Sequence, residues 1–251
     1  MSQPHNSVLI IIPTFNEAQS LPVTVAGIVE HAPEVHILVV DDGSPDGTGQ
    51  IADGLAANNP QIHVMHRTEK AGLGAAYIAG FKWALDRDYA VICEMDADGS
   101  HRPQDLPSLL GKLADNLDTA LVIGSRWVPG GDVENWPKHR EILSKGGNTY
   151  VRLALGLPLK DATAGFRAYR CEALAAMDLD GVQSHGYCFQ VDMSRRVLDG
   201  GGVVREVPII FVERVAGESK MSGNIVREAL WRVTVWGAQK RTRQLQALLR
   251  R

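Results

Sequence analysis

A chain of 251 residues, 45% hydrophobic and 22% charged, has the length of one large α/β domain or two small ones and the composition of an ordinary globular protein. Its three cysteines (Cys93, Cys171, Cys188) are odd in number and lack C-x-x-C spacing, which argues against a disulfide framework and fits a reducing compartment. The net charge of −3 hides an asymmetry: residues 220–251 carry +7 and the remainder −10, so an acidic body ends in a basic tail suited to an anionic surface or simply to solvent.

No basic segment followed by an apolar stretch opens the chain, and the early apolar run Val8 to Ile12 is a strand's length, far short of a membrane span. A cytosolic chain is expected. The first 125 residues alternate short β-branched runs with helix-length segments. Strands are expected at Val8–Ile12, His36–Val40, His63–His66, Tyr89–Glu94 and Ala120–Gly124, and helices at Glu17–His31, Asp46–Asn59, Leu73–Arg87 and Pro103–Asn116. Ser44-Pro45-Asp46 supplies a helix start. Near-continuous apolar strands alternating with helices predict a mostly parallel sheet, whose ligands sit beyond the carboxyl ends of the strands.

The polar residues fall at those ends. The first strand runs into "PTFNE" (Pro13 to Glu17), the second into "DDGSPDGT" (Asp41 to Thr48), the fourth into "EMDADGSH" (Glu94 to His101) and the fifth into "GSRW" (Gly124 to Trp127). One such cluster is ordinary turn chemistry, whereas four on one rim describe a binding site. Gly72-Leu73-Gly74 is no dinucleotide fingerprint, because it follows the third strand and the first ends in Pro-Thr-Phe-Asn-Glu.

Beyond Trp127 the pattern loosens. "VPGGDVENWPKHR" reads as a mobile loop, Glu141 to Leu155 as a helix, Leu159 to Arg170 as strand and turn, and Val203 to Arg214 as a strand interrupted at Pro208. From Asn224 to Arg241, residues Ile225, Val226, Ala229, Leu230, Val233, Trp236 and Gly237 share one helical face flanked by Lys and Arg. That describes either an interfacial helix on anionic lipid or a helix packed against the sheet.

Asp96 and Asp98 are the sharpest chemical signal. Two apart at a strand end, they point to one side while Ala97 faces away, and paired carboxylates repel unless a cation intervenes. Mg²⁺ or Mn²⁺ takes one or two carboxylates and completes its shell with water and phosphate oxygens. Asp41 and Asp42 can accept from a base N–H or a ribose hydroxyl, and Glu17 can do the same or complement a helix dipole. Phe15 can lie against a base or fill core. Glu94 shares the parity of the two aspartates but lies one step back, where it supports them or takes a buried ion-pair partner.

"PTFNE", "DDGSPDGT", "RTEKAGLGAAYIAG", "MDADGSH", "GSRW", "DATAGFRAYR", "GYCFQ" and "VERVAGESKMS" occur together and in order over about residues 6 to 225. In this the chain resembles the inverting family 2 glycosyltransferases, and within them the dolichol- and polyprenol-phosphate mannose synthases, with wording most like the actinobacterial ones. The resemblance implies a GT-A type, Rossmann-like α/β fold with helices on both faces of the sheet. It implies a domain over residues 1–223, with a donor half to about 125 and an acceptor half from 126, followed by a basic amphipathic helix over 224–251.

The activity it implies is transfer of mannose from GDP-mannose to polyprenyl phosphate with Mg²⁺ or Mn²⁺. Pro13, Phe15, Glu17, Asp42 and Ala97 would then line the nucleotide-sugar site and Asp96 and Asp98 hold the metal. Relatives can carry a metal-reaching Gln where this chain has Ser100, which puts a third protein ligand in question and leaves the place to water. Arg126, Arg140 and Ser144 match positions that take the lipid phosphate; the first two otherwise read as surface ion pairs. Arg214, Ser219 and Lys220 match a motif near the donor's diphosphate, and Gln190 would face the sugar. Asp96, Asp98, Arg126 and Arg214 form the catalytic set.

A UDP-glucose-dependent polyprenyl-phosphate glucosyltransferase keeps the same mechanism, since no residue visibly fixes base or sugar. A non-catalytic nucleotide-sugar-binding subunit is disfavoured by the intact Asp96, Asp98, Arg126 and Arg214. The expected partners are the two substrates, an anionic membrane surface at the inner face of the plasma membrane and a membrane-anchored protein. An acidic body without a recognised binding motif disfavours nucleic acid.

Overall fold

The computed structural model describes residues 7–69, 71–182, 186–213 and 223–249. The first half runs β1 (Val8–Thr14), α1 (Leu21–His31), β2 (His36–Asp41), α2 (Thr48–Asn58), β3 (Ile62–His66), α3 (Leu73–Leu85), β4 (Val91–Glu94), a 3-10 turn (Pro103–Asp105), α4 (Leu106–Asp115) and β5 (Thr119–Ser125). The second half continues with β6 (Asp132–Glu134), α5 (Lys138–Leu155), β7 (Arg167–Arg170), α6 (Cys171–Ala175), α7 (Tyr187–Asp199), β8 (Val203–Pro208), β9 (Ile210–Val212) and α8 (Gly223–Leu249).

Seven strands form one sheet in the order β3-β2-β1-β4-β7-β5-β8, in which β7 alone runs antiparallel to its neighbours. Each face carries a core. Leu9 and Ile11 of β1 join Tyr77 and Phe81 of α3, Val151 of α5, Phe189 of α7 and Val233 of α8. Ile10 and Ile12 turn the other way, onto α1, α2 and α4. Alternate residues of one strand are buried on opposite faces, and that is why the run reads as continuously apolar.

Because the chain visits β2 and β3 on one side of β1 and then returns to β4 on the other, the crevice at the carboxyl ends of β1 and β4 is the sheet's switch point. Pro13 fits here, two residues past Ile11, where pairing with β4 ends and no amide hydrogen is called for.

Several elements differ from expectation for local reasons. Helix α1 begins at Leu21 rather than Glu17, because residues 15–20 are spent on a turn in which Asn16 is left-handed (φ 62°) and the Glu17 and Ala18 amides donate to Thr48 Oγ1 and Asp46 Oδ2. Helix α2 begins at Thr48, after Gly47 (φ 90°), with Asp46 Oδ1 accepting the Thr48 amide and hydroxyl. The "mobile loop" after Trp127 holds β6, which pairs in parallel with β9. The break in the last expected strand is real, with β8 ending at Pro208 and β9 starting at Ile210.

Helix α8 is present and packs against α5 and α7. Val233 and Gly237 of the expected apolar face are buried in that contact, whereas Leu230 and Trp231 stay exposed. The side chains of Ile225 and Val226 lie outside the described ones. Among the described residues no helix is long and apolar enough to cross a membrane.

Candidate active site

Asp96 and Asp98 lie in the bend after β4, not in the strand, so a turn orients them rather than the pleat. The Ser100 amide donates to Asp98 Oδ1 (3.0 Å) in an Asx turn, which Gly99 permits with φ 77°. Asp96 is fixed on two sides: the Tyr77 hydroxyl of α3 donates to its Oδ1 (3.1 Å), and its amide donates to His101 Nδ1 (3.0 Å). Burial, and then the neighbouring Asp96, raise the Tyr77 pKa far above its ordinary value, so the phenol stays a donor.

Ala97 faces away as expected. Its side chain packs into the α1/α4 core and its carbonyl accepts the Thr24 hydroxyl (3.0 Å). Ser100 is buried, and its hydroxyl oxygen has no hydrogen-bond partner among the described residues.

Behind this pair, Glu94 is fully buried opposite Arg167 of β7 and accepts the Gln190 side-chain amide (2.5 Å). Burial pushes its carboxyl up to about 7, against the pull of the Arg167 charge and the Gln190 hydrogen bond. Gln190 is therefore a buried partner of Glu94. A methyl built on Gly165 would sit 3.7 Å from Asp96 Oδ2, 3.8 Å from Gln190 Nε2 and 3.4 Å from His101 Cε1, so a small polar space separates these groups.

The ends of β1 and β2 supply the other wall. Asp41 is structural: it accepts from Thr14 (3.0 Å) and from the Ser44 hydroxyl and amide. Asp42 pairs with Arg67, and burial nevertheless raises its pKa. Glu17 is half-buried and accepts the Ser20 hydroxyl (2.7 Å). Phe15 is partly exposed and belongs to neither core, so the core-filling alternative does not hold.

Across the loop 161–165 lies the second half of the site. Arg126 is buried and held by Asp161 in a two-pronged pair (Nε and Nη2, 2.7 Å each), with Thr163 Oγ1 also accepting from Nη2 (3.0 Å). Burial works to raise the Asp161 pKa, but the Arg126 charge and hydrogen bonds outweigh it and leave the carboxyl below its ordinary range. Glu206 of β8 in turn accepts the Lys160 and Asp161 amides.

Arg140 of α5 pairs with Glu213 and stacks on Trp136, 4.0 Å from its ring centre. Arg126, Arg140, Ser144 and Trp136 close one end of a cavity of about 400 Å³. Its other walls are apolar, from α5 (Leu143, Tyr150, Val151), α7 (Val191) and α8 (Leu230, Val233).

Asp96 and Gln190 thus border one space at Gly165, with Asp98 and Ser100 two and four residues further along the chain, and Arg126, Arg140 and Ser144 line a separate cavity to which Thr163 also contributes. Arg214, Ser219 and Lys220 lie outside the described residues. Sequence reasoning missed Tyr77, Arg67, Asp161 and Glu213 as partners of site residues, because pairings across 19 to 73 positions leave no periodic trace, and it passed over Trp136, which stacks on the nearby Arg140, inside a stretch read as a loop.

A mostly parallel sheet with carboxylates at its switch point and an arginine-ended cavity beside them is the architecture of a GT-A glycosyltransferase. The chain belongs to glycosyl transferase family 2, whose model matches residues 9–177. It is 54% identical to polyprenol monophosphomannose synthase of Mycolicibacterium smegmatis, over 99% of this chain and 93% of that one. It is 56% identical to undecaprenyl-phosphate mannosyltransferase of Micrococcus luteus, over 96% and 98%.

Solved structures repeat the fold at low identity. One is a Mycobacterium tuberculosis glucosyl-3-phosphoglycerate synthase with Mn²⁺, UDP-glucose and phosphoglyceric acid (17% identity, TM-score 0.69, 93% of this chain and 80% of that one). Another is a Pyrobaculum calidifontis mannosyltransferase with GDP-Man and Mn²⁺ (19%, TM-score 0.60, 95% and 65%).

Proposed function

We propose that this glycosyltransferase moves mannose from GDP-mannose to a polyprenyl phosphate with inversion at the sugar, in a divalent-metal-dependent reaction. The observation that carries the reading is the cavity of about 400 Å³ with apolar walls and two arginines at one end, the shape and charge of an anionic head on a hydrocarbon chain. The mannosyltransferase names of the relatives above support the sugar and the lipid.

The residues fit a hard cation. Asp96 and Asp98 offer carboxylate oxygens in turns that aim them at the rim, and the Tyr77 hydroxyl orients one of them. Among the described residues no third His, Cys, Asp or Glu joins them, which leaves places for water and phosphate oxygens. Such an ion, when bound, neutralises the charge that develops on the departing nucleoside diphosphate.

The rest falls to the chain. An oxygen of the acceptor phosphate attacks C1 of mannose, the C1–O bond to the diphosphate breaks, and GDP departs with the bonding pair. A phosphate monoester is already anionic at neutral pH, so no side chain has to take a proton. Arg126, aimed by Asp161, and Arg140, stacked on Trp136, hold that phosphate in line. Asp42 and Glu17 face the nucleoside, and Gln190 borders the sugar. Leu143 and Leu230, which line the cavity, remain half exposed beside Ile142 and Trp231 (71% and 69% exposed). This surface would rest on a membrane and receive the lipid from it.

Arg140→Gln tests the acceptor site. It is expected to raise the KM for polyprenyl phosphate by about tenfold or more, the order of one charge-assisted phosphate contact, while GDP-mannose binding stays unchanged. An unchanged acceptor KM would remove Arg140 from the site.

A further inference from the structure

Helix α5 carries two adjacent glycines, Gly146 and Gly147, near the middle of its eighteen residues. A glycine in a helix interior costs about 1 kcal/mol relative to alanine, so the pair needs a reason. Elsewhere in this protein the reason is packing: a Cβ on Gly80 would meet Ile11 Cγ2 at 2.8 Å, and one on Gly237 would meet the Ala154 carbonyl oxygen at 2.7 Å. At Gly146 and Gly147 a Cβ would meet nothing within 4 Å, and neither has a positive φ. No described residue of the folded chain explains why these positions are bare.

Both line the apolar cavity. Arg140, Ser144, Gly147 and Val151 stand at spacings of four, three and four, which places them on one face of α5. Gly147 lies about 5 Å along the axis from Ser144, at the 1.5 Å rise of a helix. At the polar end two buried N–H donors, Arg140 Nε and Trp136 Nε1, have no hydrogen-bond partner among the described residues, and both residues line the same cavity. Unpaired buried donors call for an oxygen ligand, and Gly147 of the bare strip lies nearly two turns along α5 from Arg140 and about one turn from Ser144.

We infer that Gly146 and Gly147 form the contact strip for the acceptor's first isoprene unit, the part next to its phosphate, and so set which lipid phosphates the enzyme accepts. A methyl-branched chain leaving a phosphate held by Arg140 needs close approach to the helix backbone there, and only glycine allows it. The inference rests on the reading of this cavity as the acceptor site.

The test compares Gly146→Ala and Gly147→Ala with Gly111→Ala in the purified full chain. Gly111 lies in α4, has nothing within 4 Å of its would-be Cβ and does not line the cavity. All three substitutions should raise the melting temperature, since alanine favours a helix. Only the cavity variants should raise the KM for a short-chain polyprenyl phosphate, by about tenfold, the scale of one misplaced methylene in a fitted pocket. GDP-mannose binding, followed by titration, should stay level in all of them.

A more stable Gly147→Ala with an acceptor KM within twofold of the parent overturns the inference, and so does a loss of stability in that variant. If Arg140→Gln also leaves the acceptor KM unchanged, it is the placement of the acceptor that has failed. If Arg140→Gln raises it and the glycine variants do not, only the contact strip has failed.

Discussion

Glu94 shows how much one side chain at this site depends on its surroundings. Its folded pKa of about 7 stands above the ordinary 4.5, because burial disfavours the charge more than Arg167 and Gln190 favour it. Below the ordinary value both folded and unfolded chains hold the proton and the group is neutral toward stability. Between 4.5 and about 7 the folded chain keeps a proton that the unfolded chain has lost, so this group's contribution to stability falls as pH rises and is constant above that window. Urea unfolding of metal-free parent and Glu94→Gln protein between about pH 5 and about pH 8 should show the parent losing ground to the variant as pH rises. A difference that is flat with pH, or a parent that gains on the variant as pH rises, would contradict it.

The residue scale also marks the limit of what the sequence discloses. Spacing alone put Asp96 and Asp98 on one side with Ala97 away; the structure packs Ala97 into the core and orients Asp98 by an Asx turn rather than by strand parity. Arg126 at the end of β5 stood out as a site residue. That Asp161 grips it, and Glu206 grips the Asp161 amide, did not, since ion pairs across 35 residues have no sequence signature. For Phe15 spacing left two roles open, because an aromatic residue next to an apolar strand reads as core whether it is covered or not.

Among elements, the five parallel-type strands of the first half were legible, with ends shifted by one or two residues. Their runs are apolar on both faces, and periodicity reports that directly. Strand β6 was hidden in a Gly- and Pro-rich stretch because its three residues are held by β9, nearly eighty positions away. Helix α8 was legible as a helix with one apolar face, while its neighbour was open. The structure puts part of that face on α5, where Gly237 lets the two backbones approach.

Gly237→Val should therefore push α8 from α5, at a cost of about 1–3 kcal/mol for the overpacked contact. Because α8 walls the cavity through Ala229, Leu230 and Val233, the acceptor KM should rise as well. A melting temperature equal to the parent's would show that the contact does not hold the helix.

At the scale of the whole molecule, the strand order explains why two chemistries meet. The chain reverses direction in the sheet between β3 and β4, which opens a crevice for a nucleotide at the ends of β1, β2 and β4. The antiparallel β7 then brings the 161–165 loop back to the same rim, between the carboxylates and the arginine-ended cavity. One loop thus borders both the space beside Asp96 and the apolar cavity, the two places proposed for donor and acceptor.

Product analysis tests this most directly. Purified full-length protein would be given a short-chain polyprenyl phosphate, Mg²⁺ or Mn²⁺, and labelled GDP-mannose or UDP-glucose in parallel. The account predicts GDP and a lipid-linked mannosyl phosphate of inverted configuration, formed from GDP-mannose and nearly abolished by Asp96→Ala in a folded protein. Label reaching the lipid from UDP-glucose in preference, or no lipid product from either donor, would contradict it.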